Sequence, residues 1–74
     1  NPTTRIRISL PRAGVASLRV YDVLGREVAA LLDGQLGAGK HEVEWNATGF
    51  SSGVYVVRLK SSGYVLSRRM MLVR

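Results

Sequence analysis

The sequence predicts an all-β protein, a small antiparallel β-sandwich of six or seven strands. Three observations support this class. Polar and apolar residues alternate with a period of two along most of the chain. Turn-forming residues recur at about every eight to twelve positions, as in small sandwiches. No segment has the period of about 3.6 residues that identifies a long amphipathic helix.

The first two predicted strands cover residues 4–10 and 16–20. Pro11 ends the first strand because its nitrogen cannot donate a hydrogen bond to a neighbouring strand. A turn is expected at residues 22–25, whose final glycine readily adopts a positive φ. The residues expected to face the core in these strands are Ile6, Ile8, Leu10, Leu18 and Val20.

The middle of the chain is predicted to hold two further strands, over residues 27–32 and 40–45. The stretch 29–32 is also compatible with a short helical turn. Asp33-Gly34 is predicted to form a tight turn, because this dipeptide is a strong hairpin signal. A second, glycine-rich loop is expected at residues 36–39. The later strand is expected to turn Lys40, Glu42 and Glu44 to solvent and His41, Val43 and Trp45 inward.

The last third of the chain predicts a polar loop over residues 46–53, a strand over 54–60, a hairpin turn at 61–63 and a final strand over 64–73. Both strands carry apolar residues on both faces, and the last one adds arginines. Two interpretations remain open. The strands are central and covered on both sides, or they form an exposed apolar and cationic strip that a partner recognises.

Length and composition limit the class of protein. A chain of 74 residues without Cys forms one domain at most and has no disulfide or thiolate metal site. Its apolar fraction of 46% argues against disorder. No apolar run reaches the roughly 18 residues of a membrane helix. Since the sequence starts at Asn1 without Met or a leader, we expect residues 1–74 to be one domain cut from a larger polypeptide, which the small β unit closes.

The charge balance is basic, with 11 Lys and Arg against 5 Asp and Glu and a net charge of +6. This suits either a solvated basic surface or an acidic partner, such as nucleic acid, anionic lipid or anionic glycan. Nucleic-acid binding requires exposed aromatic residues within a basic patch. Because the alternation directs most aromatic residues inward, we expect no nucleic-acid partner.

Three motifs resemble sites of chemistry but lack their surroundings. Residues 34–40 have the glycine spacing of a phosphate-binding loop, yet no Ser or Thr and no helix follows the lysine. Residues 49–53 fit the G-x-S-x-G nucleophile elbow, yet a strand rather than a helix leaves the motif. His41 lacks further His or Cys ligands for a metal. We therefore predict no catalytic, cofactor-binding or metal-binding residue, and hence no enzyme.

Four blocks of sequence, residues 1–11, 18–28, 37–47 and 52–59, together resemble a known family. Taken in order and over essentially the whole chain, they are similar to the type A C-terminal sorting domain of the type IX (Por) secretion system of Bacteroidetes and relatives. A more distant likeness is to the Ig-like domain of flagellar hook-capping proteins. The chain departs from the sorting domains in a shortened opening and in Arg, rather than Lys, near its end.

The resemblance implies an Ig-like sandwich that carries an exported parent protein from the periplasm to the cell surface or medium. The implied partners are the outer-membrane translocon and a surface sortase-like protease, which in many members removes the domain and can join the parent to an anionic lipopolysaccharide. Alternatives are a carbohydrate-binding or structural Ig-like appendage of a secreted enzyme. The family places recognition in the last strands, which here contain Gly53, Val54, Tyr55, Arg58, Arg68, Arg69, Met70, Met71, Leu72, Val73 and Arg74.

Overall fold

The computed structural model describes residues 3–73 and contains six β-strands, with no helix in that range. The strands are β1 (Thr3–Leu10), β2 (Gly14–Tyr21), β3 (Glu27–Leu36), β4 (Gly39–Asn46), β5 (Gly53–Ser61) and β6 (Tyr64–Leu72). Every paired strand is antiparallel to its neighbour. The predicted all-β class is confirmed. None of the described residues belongs to a helix that could cross a membrane.

The strands form two sheets of unequal width. β1 and β4 make a two-stranded sheet, paired from Thr3 opposite Asn46 to Leu10 opposite Gly39. The other sheet has four strands in the order β3-β2-β5-β6, which places β6 at an edge. Because the narrow sheet cannot cover the whole inner face of the wide one, part of that face stays open.

The core lies where the period-two pattern of the sequence predicts it. Leu18 and Val20 of β2 are fully buried, and Trp45 of β4 is 2% exposed. On β5, alternate residues from Tyr55 to Leu59 are also buried. Replacing a side chain as enclosed as Leu18 by Ala typically costs about 2–5 kcal/mol of stability. Ile8 is the exception on β1, since it is only half-buried at the centre of the strand.

The turn between β2 and β3 lies at residues 22–25, as predicted, and the carboxylate of Asp22 stabilises it. The backbone N–H of Gly25 donates to the carbonyl of Asp22 at 3.0 Å. The N–H groups of Leu24 and Arg26 donate to Asp22 Oδ1 at 3.0 Å each. The Arg26 guanidinium adds an ion pair at 2.9 Å. The hydrogen bond from the Arg26 backbone is the main reason why the pKa of Asp22 is lowered.

The predicted turn at Asp33-Gly34 is wrong, as is the helical alternative at residues 29–32. β3 continues through both segments to Leu36, which pairs with Gly14 of β2. Pairing with β2 along this length satisfies the backbone groups of β3 that point towards β2, and two register shifts adjust the alignment. Gly34 uses its freedom within the strand, at a φ of 150°, opposite Ala16. The actual connection to β4 is confined to residues 37–38.

Candidate recognition surface on the C-terminal hairpin

β5 and β6 form a hairpin closed by the two residues Ser62 and Gly63. Their φ angles are 37° and 76°, and positive values at both positions are characteristic of a type I′ turn. This turn fixes the register from Ser61 opposite Tyr64 to Gly53 opposite Leu72. β6 pairs only with β5, so its other edge has no strand partner among residues 3–73. The interpretation of β6 as a central, covered strand is therefore wrong.

The register assigns each side chain of the hairpin to one of two faces, because paired residues point the same way. The inner face looks towards the smaller sheet, and the outer face looks away from it. The inner face of β6 comprises Tyr64, Leu66, Arg68, Met70 and Leu72. The outer face of the hairpin comprises Val54, Val56, Arg58 and Lys60 of β5 with Val65, Ser67, Arg69 and Met71 of β6.

Unbalanced positive charge is concentrated on this hairpin. No Asp or Glu follows Glu44 in the sequence. All five acidic side chains form ion pairs with four arginines, which are Arg5, Arg7, Arg19 and Arg26. Six further cations of the described residues form no ion pair, namely Arg12, Lys40, Arg58, Lys60, Arg68 and Arg69. Four of these six belong to β5 and β6.

The outer surface of the four-stranded sheet is electrostatically divided. In its β2–β3 half, Arg19 contacts Glu27 at 3.1 Å and Asp33 at 3.3 Å. The hydrogen bond to Glu27 and the charge of that residue raise the pKa of Arg19, so this guanidinium is charged but compensated. Arg58 lies directly opposite Arg19 on β5 and has no acidic partner in the described chain. It donates instead to Ser67 Oγ at 3.4 Å.

Exposed apolar side chains accompany the cations on the outer face of β6. Met71 is 65% exposed and pairs with the half-buried Val54, and Val65 is 58% exposed. Val73, immediately after the strand, is 80% exposed. A strand edge with both apolar and guanidinium groups offers a partner backbone hydrogen bonds, apolar contact and charge at one place.

Nine of the eleven residues predicted to form the recognition surface fall into three groups. Val54, Arg58, Arg69, Met71 and Val73 are on the outer face or directly follow it. Arg68 and Met70 belong to the inner face of β6, with Arg68 exposed and Met70 half-buried. Tyr55 and Leu72 lie in the core, while Gly53 begins β5 and Arg74 is outside the described residues.

The core position of Tyr55 is part of an aromatic cluster. Its ring packs edge-on against Trp45, with centroids 5.2 Å apart, and Phe50 lies 5.5 Å from Trp45. The Tyr55 hydroxyl donates to the carbonyl of Ser51 at 2.7 Å. These rings support the base of the hairpin from inside, and they form no flat exposed platform on which a sugar could stack.

Sequence reasoning missed Lys60 and Val65, which pair with each other on the outer face. The available signal was alternation, since Lys60 stands two positions after Arg58 on the same strand. His41 lies on the inward side of β4, opposite Ile8, as the alternation predicts. It is half-buried, and its Nε2–H donates to the carbonyl of Gly37 at 2.7 Å. No three metal-ligating side chains among residues 3–73 are grouped as a metal site would require.

A comparison with protein-family models finds a match that spans almost the whole chain. Residues 1–73 match the model described as a secretion system C-terminal sorting domain. Comparisons with curated proteins and with solved structures find no match.

Proposed function

The chain belongs to the family of C-terminal sorting domains of the type IX (Por) secretion system, and we propose that the outer face of its C-terminal hairpin is the surface that the secretion machinery reads. The family is one of sorting signals and not of enzymes. A domain of this family marks a protein for export to the cell surface or the medium. We further propose that it ends a larger exported protein as a single C-terminal domain.

One observation carries the proposal. The cations of β5 and β6, which form no ion pair within the described residues, lie beside exposed apolar side chains on an edge strand, and no acidic residue stands between Glu44 and Arg74. A machine that exports many different proteins must recognise a feature of the signal rather than of its cargo. An edge of this composition provides such a feature, because it combines strand pairing with charge complementarity to an acidic surface.

In this proposal the predicted residues have different roles. Arg58, Arg69, Met71 and Val73, together with Lys60, contact the machinery directly. Tyr55 and Leu72 act through the shape of the hairpin, because they are 7% and 5% exposed. Arg68 and Met70 lie on the inner face of β6, away from the proposed contact surface.

The direct partner we propose is the outer-membrane translocon, which meets the folded domain in the periplasm. After the protein has crossed the outer membrane, a surface sortase-like protease cleaves off the domain. The parent protein is then either transferred to an anionic lipopolysaccharide or released by hydrolysis. The intact mass of the parent protein outside the cell would show whether the domain has been removed.

Site-specific photo-crosslinking tests the proposed surface. A photoreactive amino acid is placed at Met71 or at Val15 in the domain, fused to a reporter in a type IX-competent cell. The two side chains are matched, because they are 65% and 64% exposed on the outer surface of the same sheet. We expect crosslinks to a translocon component from position 71 only. Equal crosslinking from both positions, or none from position 71, would contradict the assignment.

A further inference from the structure

An open groove of about 790 Å³ lies between β1 and the inner face of β6. It exists because the two-stranded sheet is too narrow to cover β6. Leu66 of β6 is 44% exposed, although Leu59, paired with it on β5, is only 2% exposed. The inner face of β6 around Leu66 is therefore a largely apolar surface, interrupted by Arg68, with no strand above it among the described residues.

β1 borders the groove with the five consecutive residues 5–9. Successive residues of a strand point to opposite faces, so a strand that contributes all of them presents its edge. β1 pairs only with β4 among residues 3–73, which leaves the backbone groups of its other edge without a strand partner. This edge spans roughly 15 Å at about 3.3 Å per residue. Half-buried Ile8 lies at its centre.

The charges around the groove are predominantly positive. Arg5, Arg7, Lys40 and Arg68 line it, and among the described residues Glu42 is the one acidic side chain that does so. Glu42 already contacts Arg7 at 3.4 Å. Lys40 and Arg68 form no ion pair within the described chain, so the groove complements a negatively charged ligand.

We propose that this groove binds an extended segment of a partner protein in which apolar residues alternate with Asp or Glu. The segment adds to the edge of β1 as a third strand of the smaller sheet. Its inward residues cover Ile8, Leu66 and Met70. Its outward acidic residues lie beside Arg5 and Arg7, which pair with Glu44 and Glu42, and on the same face of the smaller sheet as the unpaired Lys40. The site is separate from the proposed sorting surface, because it uses the opposite face of β6.

A binding measurement with a matched pair of variants tests the chemistry of the site. The probe is a fluorescein-labelled nine-residue peptide that alternates Val and Glu, followed by anisotropy with the 74-residue chain at low salt. The same peptide with Lys in place of Glu should bind at least about tenfold more weakly. Leu66→Lys should weaken binding of the Glu peptide by about tenfold or more. Val65→Lys, on the outer face of the same strand, should leave it unchanged.

Hydrogen exchange followed by NMR tests the geometry. Binding of the Glu peptide should protect alternate amides of β1, those directed away from β4. The proposal is overturned if the Glu peptide does not bind, if the Lys peptide binds equally well, or if binding leaves the β1 amides unprotected. It is also overturned if the chain self-associates and Leu66→Lys abolishes this, because the occupant is then a second copy. None of these results bears on the outer face of the hairpin.

Discussion

The guanidinium of Arg58 lies over the ring of Tyr21, with Cζ 5.2 Å from the ring centroid. Tyr21 is on β2 and Arg58 is on β5, so the contact crosses the boundary between the two electrostatic halves of the outer surface. The ring covers one face of the cation, and Ser67 accepts a hydrogen bond at its edge. Arg58 is thereby held in one orientation on the candidate recognition surface, with no acidic partner among the described residues to neutralise it.

A double-mutant cycle measures this contact. Tyr21→Leu and Arg58→Gln, singly and together, should give a coupling energy of about 0.5–1 kcal/mol in urea unfolding, since the cation is exposed. Tyr21→Phe should preserve most of the coupling because the ring remains. A coupling indistinguishable from zero would mean that the ring does not orient Arg58.

The stability of the β2–β3 turn should depend on pH through Asp22. Its pKa is lowered in the folded chain, so its contribution is fully present above the ordinary carboxyl pKa of about 3.9 and is lost as the pH falls through the lowered value. Asp22→Asn keeps the hydrogen-bond acceptor but removes the charge. The difference in melting temperature between the two proteins should be present at pH 7 and vanish in strong acid. A difference that does not change with pH would contradict this.

The hairpin turn should respond in opposite directions to changes at its two positions. Ser62 has a φ of 37°, an unfavourable region for most residues that Asn and Gly tolerate better. Ser62→Asn should therefore raise the unfolding midpoint. Gly63→Val should lower stability by about 1–2 kcal/mol, because a β-branched residue is forced to positive φ. Equal effects of the two substitutions would argue against a type I′ turn.

Tyr55 should affect stability rather than recognition. Tyr55→Phe removes the hydrogen bond to Ser51 and should cost about 1 kcal/mol. Tyr55→Ala opens a cavity beside Trp45 and should cost about 3–5 kcal/mol. Tyr55→Phe should still support export of a fused reporter. Loss of export by a Tyr55→Phe domain that melts near the wild-type temperature would give the hydroxyl a direct role.

Much of the fold could be predicted from local sequence, because side-chain alternation and turn chemistry are local properties. Leu18, Trp45 and Leu59 are buried where the period of two places them. The turn at Asp22 and the hairpin turn at Ser62-Gly63 were likewise predictable from residue type.

The failures concern contacts between distant parts of the chain. Asp33-Gly34 has the chemistry of a turn, but pairing with β2 keeps it in a strand. The alternation also directs Ile8 inward without indicating that the sheet above β6 has only two strands. Adjacent Arg68 and Arg69 read as one basic site in the sequence, whereas the pleat places them on opposite faces of β6. The candidate site was therefore predicted as a segment but not as a surface.

Export of a reporter fused to domains with single charge reversals tests the central claim most directly. Arg69→Glu and Arg12→Glu change the charge equally, and both replace exposed arginines that form no ion pair within the described chain. The measurement is the ratio of reporter outside the cell to reporter in the periplasm, with the melting temperature of each purified domain as control. We predict that Arg69→Glu lowers this ratio at least about tenfold while Arg12→Glu and the melting temperatures stay near wild type. Undiminished export by a folded Arg69→Glu domain would contradict the account.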